Sequence, residues 1–173
     1  MIHRYKQTGV GLVEVLVALL LLAIGVLGYS ALQLRAIDAT AEALNRSQAT
    51  VILRGLTESI RANPLGQGSY ATAVQGYLNI DDKTLPPSCF KSECSASDFA
   101  QYDAYWAAKS AHTLGMKITM TKCPGVGTTI QRQCLFAAWD DAATKLGATD
   151  YSVCMASDGI YVANAKCLMM EAY

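Results

Sequence analysis

The feature that most constrains this chain is an apolar run near its N-terminus. From Val15 to Leu34, twenty consecutive residues carry no charge, and most of them are Leu, Val, Ala or Ile. A helix needs roughly 20 apolar residues to cross a hydrocarbon core about 30 Å thick, so this run is long enough to span a bilayer. A hydrophilic leader, Met1 to Gly9, precedes it and carries His3, Arg4 and Lys6.

A single carboxylate, Glu14, lies just inside the apolar stretch, five residues after Gly9. A charge in apolar surroundings costs on the order of 2–3 kcal/mol unless it is paired, so it indicates a function. A secretory signal peptide has an apolar region of about 7–15 residues, whereas this one is longer and contains Glu14. A plain single-pass anchor explains the length of the run but neither the carboxylate nor the short leader.

A basic leader that ends in Gly9, followed by an apolar helix with Glu14 at the fifth position after it, resembles the class III signal of type IV pilins and type II secretion pseudopilins. In that family a prepilin peptidase cuts after the glycine and methylates the new N-terminus. The resemblance implies cleavage between Gly9 and Val10, with Val10 standing where the family usually has Phe. It also implies that Glu14 takes part in subunit assembly.

The distribution of charge predicts the orientation of the chain in the membrane. Positive charge before the apolar run, with none of that density after it, places the leader in the cytoplasm and the bulk of the chain in the periplasm. Removal of the leader leaves 12 basic against 14 acidic side chains, a net charge of −2 before the termini. Since no basic patch stands out, direct binding of nucleic acid is not expected.

Beyond Leu34 the helical pattern continues, but the residues are no longer uniformly uncharged. Pro64 biases Asn63 away from helical angles and ends the element, which predicts one helix of about 53 residues. Its membrane or filament-core part covers residues 10–34 and its soluble part residues 35–62, ahead of a globular domain at 63–173. Apolar residues in the soluble part recur at steps of mostly three and four, which predicts one buried stripe: Ile37, Ala41, Leu44, Gln48, Val51, Ile52, Leu56 and Ile60.

The segment Arg61-Ala62-Asn63-Pro64-Leu65-Gly66 ends the long helix, and Tyr70 follows shortly after. Its proline and glycines predict a turn-rich loop. At this position the segment is similar to that of minor pilins of the PilV type. The resemblance implies a minor pilin that takes part in type IV pilus assembly, in a family whose pili serve twitching, adhesion or DNA uptake.

All six cysteines follow the long helix, and an even count in an oxidising compartment predicts three disulfides. A metal site needs closer pairs such as C-x₂-C, so neither a metal nor another cofactor is expected. Fifteen pairings are possible. Cys123 and Cys134 end and begin two strands joined by a turn, so their Cα atoms can approach to within about 4.4–6.8 Å. We predict pairing between neighbours in the sequence: Cys89–Cys94, Cys123–Cys134 and Cys154–Cys167.

The rest of the chain predicts a helix and a small sheet. Ser97-Asp98 indicates the start of a helix over roughly Asp98 to Ala111, and its aromatic stripe is interpreted as core: Phe99, Tyr102, Tyr105, Trp106 and Lys109. Strands are predicted by alternation and β-branched content at Met116–Thr121, Cys134–Trp139 and Cys167–Tyr173, and more weakly at Tyr151–Met155 and Ile160–Val162.

The predicted fold class is α+β and pilin-like. No helices intervene that could make parallel crossovers, so the sheet should be antiparallel. One face of such a sheet needs a cover, and the stripe on the long helix supplies it. The expected architecture is therefore a long N-terminal helix, half in the membrane and half packed on a small antiparallel sheet, stapled by disulfides.

The sequence indicates no nucleophile–base pair or phosphate loop, and His112 lacks the positioned partners that a general base needs. We therefore expect a structural protein and not an enzyme, held in the inner membrane and then incorporated into the pilus (fimbrium). The expected partners are other minor pilins, the major pilin, the prepilin peptidase and the inner membrane. Two alternatives stay open: a minor pseudopilin of a type II secretion system, and a membrane-anchored periplasmic binding domain or enzyme.

The Gly9→Val variant tests the processing site. A residue without Cβ lets the scissile backbone approach the peptidase closely, so we expect the variant to accumulate as a membrane-bound precursor that keeps its nine leader residues. Mass spectrometry of the N-terminus measures this directly. A mature chain that still begins at Val10 would show that Gly9 is not the processing residue.

Overall fold

The computed structural model describes residues 11–89, 93–126 and 131–173. The chain forms two compact units, the first ending at Glu42 and the second running from Ala43 to Tyr173. The predicted processing residues Gly9 and Val10 lie outside the described residues. Helix α1 (Leu12–Ala62) supplies the described part of the first unit and begins the second.

In the first unit, α1 exposes every one of its large apolar side chains. Within the described residues it is the one helix whose length and hydropathy suit a membrane crossing. A helix that is apolar all round needs lipid or other protein around it, because water does not favour such a surface. The first unit therefore presents an apolar helix surface long enough to cross a membrane.

In the second unit, α1 packs against the sheet through a face that differs from the predicted stripe. Leu56 and Ile60 are buried as expected, but Leu44 and Val51 are 56% and 69% exposed. Ile37, in the first unit, is exposed as well. The buried face consists of Ala49, Leu53, Leu56, Thr57 and Ile60. The predicted stripe was wrong for Leu44 and Val51, because two apolar series wind around this helix and the prediction merged them.

A 3-10 helix (Pro64–Ser69) and α2 (Tyr70–Gly76) follow α1 directly. The turn-rich loop predicted here is therefore ordered helical structure. Helix α2 is tied to the sheet, since the side-chain amide of Gln75 donates to the Met120 carbonyl at 2.8 Å. The 3-10 helix is tied to the chain end, because the Tyr173 hydroxyl donates to the Gln67 carbonyl at 3.0 Å.

Helix α3 (Ala96–Thr113) begins two residues earlier than predicted. Its N-cap is Ser95, whose hydroxyl accepts from the Asp98 backbone N–H, while the Asp98 carboxylate accepts from the Ser95 backbone N–H at 2.9 Å. This capping box satisfies two otherwise free donors. The Ser95 hydroxyl, at 2.7 Å, and the Ser95 backbone N–H both donate to the Asp98 carboxylate and lower the pKa of that carboxyl.

The interpretation of the aromatic stripe on α3 as core was wrong for Phe99 and Trp106 and right for Tyr105. Tyr105 is buried, but Phe99 and Trp106 are 48% and 47% exposed. The buried face is made of small residues that let neighbouring backbones approach closely: Ala100, Ala104, Ala108 and Ala111. Phe99 and Trp106 therefore project from the side of the helix, whereas Tyr105 belongs to the core.

The sheet has three antiparallel strands in the order β1 (Lys117–Lys122), β2 (Gln133–Ala138) and β3 (Cys167–Glu171). The predicted antiparallel sheet is confirmed, with strand ends shifted by one or two residues. Its two faces alternate along each strand. The face with Ile118 and Leu135 packs in the cluster that contains the buried face of α1. Phe136, on the other face, packs in a second cluster, with Ala142 of α4 (Asp140–Lys145).

The two weaker strand candidates are wrong. The segment at 151–155 is a helical turn, in which the N–H groups of Cys154 and Met155 both donate to the Tyr151 carbonyl. Those donors are then unavailable to a strand ladder, and a single bridge between Met155 and Tyr161 is all that forms. Gly159, with φ 88°, makes the turn between the two segments.

Disulfides join Cys89 to Cys94, Cys123 to Cys134 and Cys154 to Cys167. Their Cα–Cα distances are 5.5, 4.9 and 5.5 Å, within the usual range for this bond. Each bond closes a short segment between neighbours in the sequence. The second fastens the β1–β2 pair, because Thr121 lies opposite Cys134 in the register.

Two leucines on α1 test which face is core. Leu53 is fully buried, so Leu53→Ala should lower the free energy of unfolding by about 2–5 kcal/mol. Leu44→Ala on the same helix should change it by no more than about 0.5 kcal/mol. Thermal unfolding of the detergent-solubilised chain, followed by circular dichroism, measures both. An equal loss of stability in the two variants would contradict the assignment of the faces.

Candidate functional site

Glu14 lies in the first turn of α1 with its side chain exposed. Its backbone N–H donates to the Gly11 carbonyl at 2.9 Å, so the carboxylate sits at the positive end of the helix dipole. That position stabilises a carboxylate by about 0.3–1 kcal/mol. No side chain in the described part of the chain forms a hydrogen bond or an ion pair with it. No stronger partner for this charge lies among residues 11–89, 93–126 and 131–173.

The end of α1 is held by Asn63, which caps the 3-10 helix. Its side-chain oxygen accepts from the Gly66 N–H at 3.2 Å, and its amide donates to the Ala96 carbonyl at 2.7 Å and to the Tyr70 hydroxyl at 3.3 Å. One side chain therefore connects the 3-10 helix, α2 and the first turn of α3. We call this cluster of Asn63, Gly66, Tyr70 and Asp103 the junction.

Tyr70 is fully buried at the junction. Its hydroxyl donates to the Asp103 carboxylate at 2.6 Å and lies 3.3 Å from the Ser59 carbonyl. Burial and the neighbouring Asp103 carboxylate raise the pKa of Tyr70 well above its usual value, so the phenol stays protonated and keeps donating. The result is a polar link between α1, α2 and α3 inside otherwise apolar packing.

Gly66 is the residue of the junction that admits no side chain. It is buried, and a Cβ placed there would collide with the Ala96 carbonyl oxygen and with the Asn63 amide nitrogen. The glycine is needed for this close approach of two backbone segments. In the sequence this glycine indicates a turn and belongs to the segment that resembles PilV-type minor pilins, but no local pattern indicates its close approach to Ala96.

Three ionisable side chains of the second unit connect the 81–84 segment with α3. Lys109 donates to the Asp82 carboxylate at 2.7 Å, which lowers the pKa of that carboxyl, and His112 Nδ1 lies 3.9 Å from it. His112 lies in the last turn of α3. Among the described residues no group of three His, Cys, Asp or Glu side chains is arranged to hold a metal ion. The pair of Lys109 and Asp82 therefore fastens this loop on α3.

Two family models match the chain. Residues 4–30 match the prokaryotic N-terminal methylation motif, and residues 31–105 match the model described as Tt1218-like, type IV pilin Tt1218. The first match covers Gly9, Val10 and Glu14, and the second covers the whole junction. Comparison with curated proteins and comparison with solved structures give no match.

Gly66 and Gly68 form a matched pair for testing the junction. Gly66→Ala forces the α3 N-terminus or the Asn63 side chain to move, and we expect it to destabilise the fold by about 1–3 kcal/mol. An added Cβ at Gly68 meets no atom within 4 Å, so Gly68→Ala should leave stability unchanged or raise it by up to about 1 kcal/mol. Thermal unfolding compares the two, and equal stabilities would contradict the close approach seen at Gly66.

Proposed function

We propose that this chain, a type IV pilin by its matches at residues 4–30 and 31–105, is a minor pilin of the PilV type that takes part in pilus assembly. The observation that carries the proposal is Glu14, a carboxylate without a partner in the described chain, at the start of a fully exposed apolar helix. The junction built from Asn63, Gly66 and Tyr70 supports the PilV type, since it uses the segment that resembles those pilins.

The proposed assembly contact joins Glu14 to the N-terminus of a neighbouring subunit. Cleavage after Gly9 leaves a positive amine at Val10, in the same apolar layer as a neighbour's carboxylate. Either charge alone is costly in hydrocarbon, whereas together they form a tolerable pair. The two charges can pair only at one axial position of each helix. The pair therefore fixes the axial register between neighbouring subunits as well as stabilising their contact.

The proposed location is the inner membrane, with the domain after α1 in the periplasm, followed by incorporation into the pilus. The apolar first unit supports membrane anchoring. Three disulfides in the second unit support an oxidising compartment for that domain, because such bonds persist outside the cytoplasm. The basic leader supports the same orientation. The proposed partners are other minor pilins, the major pilin and the prepilin peptidase.

A structural and not an enzymatic role is part of the proposal. The carboxylates with lowered pKa, such as Asp98 and Asp82, are exposed groups that cap a helix or bind a lysine. Groups prepared for proton transfer are instead shifted toward the operating pH by burial and charged neighbours. The ionisable side chains therefore support stability and assembly.

A minor pseudopilin of a type II secretion system is the second candidate, because it carries the same class of leader. The match of residues 31–105 to a type IV pilin favours the pilus. A deletion strain separates the two: loss of surface pili with normal secretion supports the proposal, and loss of secretion with normal pili supports the pseudopilin. Twitching, adhesion and DNA uptake in the same strain then identify which pilus activity depends on the chain.

The Glu14→Gln variant tests the assembly contact. We expect a chain that is cut, folded and resident in the membrane but no longer crosslinks to partner pilins. Glu58→Gln is the matched control, because Glu58 lies on the same helix, is exposed and, among the described residues, pairs with Arg61 alone. Crosslinking should be normal in the control. Normal crosslinking in Glu14→Gln as well would mean that the carboxylate merely stabilises the first helical turn.

A further inference from the structure

A cleft of about 540 Å³ opens between α3 and the segment formed by the 3-10 helix and α2. One wall carries Ser97 and Gln101, which lie one turn apart on α3, and the other wall carries Ser69 and Thr72. Tyr77 lines the cleft as well. Ligand sites in proteins commonly measure about 300–1,000 Å³, so the cleft has the size of a binding site.

The polar side chains of this cleft have no partner within the described part of the chain. Five of the lining side chains form no hydrogen bond there, namely Ser69, Thr72, Tyr77, Ser97 and Gln101. Each of these side chains can both donate and accept a hydrogen bond. None of the eight residues that line the cleft has an acidic or a basic side chain. The lining is therefore neutral and rich in groups that are available to a ligand.

The walls of the cleft are held in place by bonds that use other residues. Helix α3 starts at the capping box of Ser95 and Asp98, and the Asn63 amide holds its first turn through the Ala96 carbonyl. Helix α2 is joined to the sheet through the side chain of Gln75. A site whose walls are fixed before binding loses less conformational entropy when a ligand enters. The cleft is therefore preorganised, while its lining side chains keep their hydrogen-bonding capacity.

Two glycines line the cleft although the fold does not require glycine at either position. Gly68 and Gly76 have no positive φ, and a Cβ added to either one meets no atom within 4 Å. Glycine destabilises a helical segment relative to alanine, so both positions lower stability without a gain in packing. Departures of this kind from local preference are expected at functional sites. Here the missing side chains widen the cleft and let a ligand approach its backbone.

The chemistry of the lining discriminates between classes of ligand. A charged ligand would lose hydration without meeting an opposite charge among the lining residues. An extended peptide needs a row of free backbone partners, which a sheet edge supplies and a wall made of helices does not.

A sugar fits the same lining, because its hydroxyls both donate and accept, as the lining side chains do. Its apolar ring face needs an apolar surface as well. Half-buried Tyr77, packed edge-on against Tyr105 with ring centroids 5.6 Å apart, and the nearly buried Ala73 supply that surface.

We infer that this cleft binds a neutral oligosaccharide. Ser97 and Gln101 on one wall and Thr72 on the other bond its hydroxyls, while Tyr77 contacts a sugar ring. The affinity of a single site is low, because neutral hydrogen bonds to the ligand replace hydrogen bonds to water. The inference goes beyond the proposed function and does not need it, since the cleft lies within the second unit and binds outside any pilus.

A bead assay tests the inference on the full-length chain, solubilised in a detergent without a sugar headgroup. Densely coated beads are incubated with fluorescent polymers that carry many copies of one oligosaccharide, so that weak single-site binding becomes measurable. One set of neutral oligosaccharides represents the surfaces of other cells, and a second set is prepared from polysaccharide of the producing strain. Polymers that carry anionic oligosaccharides or neutral glycine- and serine-rich peptides are the comparison arms.

We expect retention of at least one neutral oligosaccharide, and the set to which it belongs identifies the source of the ligand. Because no charges are paired, retention should not change between low and high salt. Retention of the anionic polymers alone, of the peptide polymers alone, or of no polymer would overturn the inference.

Gly76→Leu fills the cleft without burdening the fold, because the site has open space and leucine favours helix more than glycine does. We expect retention to fall by at least about tenfold, since the new side chain clashes with the bound sugar. Gly55→Leu is the matched control, because Gly55 has the same open space on α1 outside the cleft. It should retain the wild-type signal, and equal retention by the two variants would contradict binding in this cleft.

Gln101→Met removes one pair of polar groups and keeps the size and the helix preference of the side chain. We expect a decrease in retention of about two- to tenfold, as for loss of one or two neutral hydrogen bonds. Gln131→Met makes the same change at an exposed residue outside the cleft and should have no effect. Wild-type retention by Gln101→Met would exclude the proposed contact between the α3 wall and the sugar.

Discussion

The structure depends on one helix that has to satisfy different surroundings along its length. In its first part, α1 is apolar on every side, and lipid or neighbouring subunits must cover it. In its second part it gives one face, centred on Leu53 and Leu56, to the core beneath the sheet. The disulfides, the capping of α3 and the junction all lie in the second unit, where they fix what that face packs against. If the second part of α1 were not packed in this way, the exposed first part would not be attached to a folded domain.

The junction explains how the chain leaves this helix. Pro64 stops the helical pattern, and Asn63 compensates by accepting from one backbone group and donating to another. Tyr70 then places a hydroxyl beside Asp103, so that α3 is aligned with the end of α1. Because each buried polar atom in this cluster has a partner, the cluster specifies one arrangement at little cost. A polar network at a helix end can therefore orient a domain that is otherwise held by apolar contacts.

Local sequence patterns predicted the helices, the strands and the disulfides well. They predicted the contacts between distant side chains less well. The long helix, the antiparallel sheet and the use of cysteines between neighbours all follow from periodicity, proline placement and spacing within short stretches. The contact between Tyr70 and Asp103 joins residues 33 apart, and no local pattern indicates it. Glu14 was found because a charge in an apolar run is unusual in itself. By contrast, Trp106 was assigned to the core because helical spacing alone does not show which face of a helix is covered.

The exposure of Trp106 has a physical cause, namely the way in which α3 is packed. Helix α3 turns its alanines inward, since Ala100 and Ala104 let it lie close to α2 and the 3-10 helix. A helix with small residues on its packed face has to place its large ones elsewhere, and here Phe99 and Trp106 stand half-exposed. On α1 the same division holds, with Leu53 inward and Val51 outward. Keeping apolar side chains in water gains nothing for stability, so the outward Val51 and Trp106 are a consequence of packing the small or differently spaced residues of both helices inward.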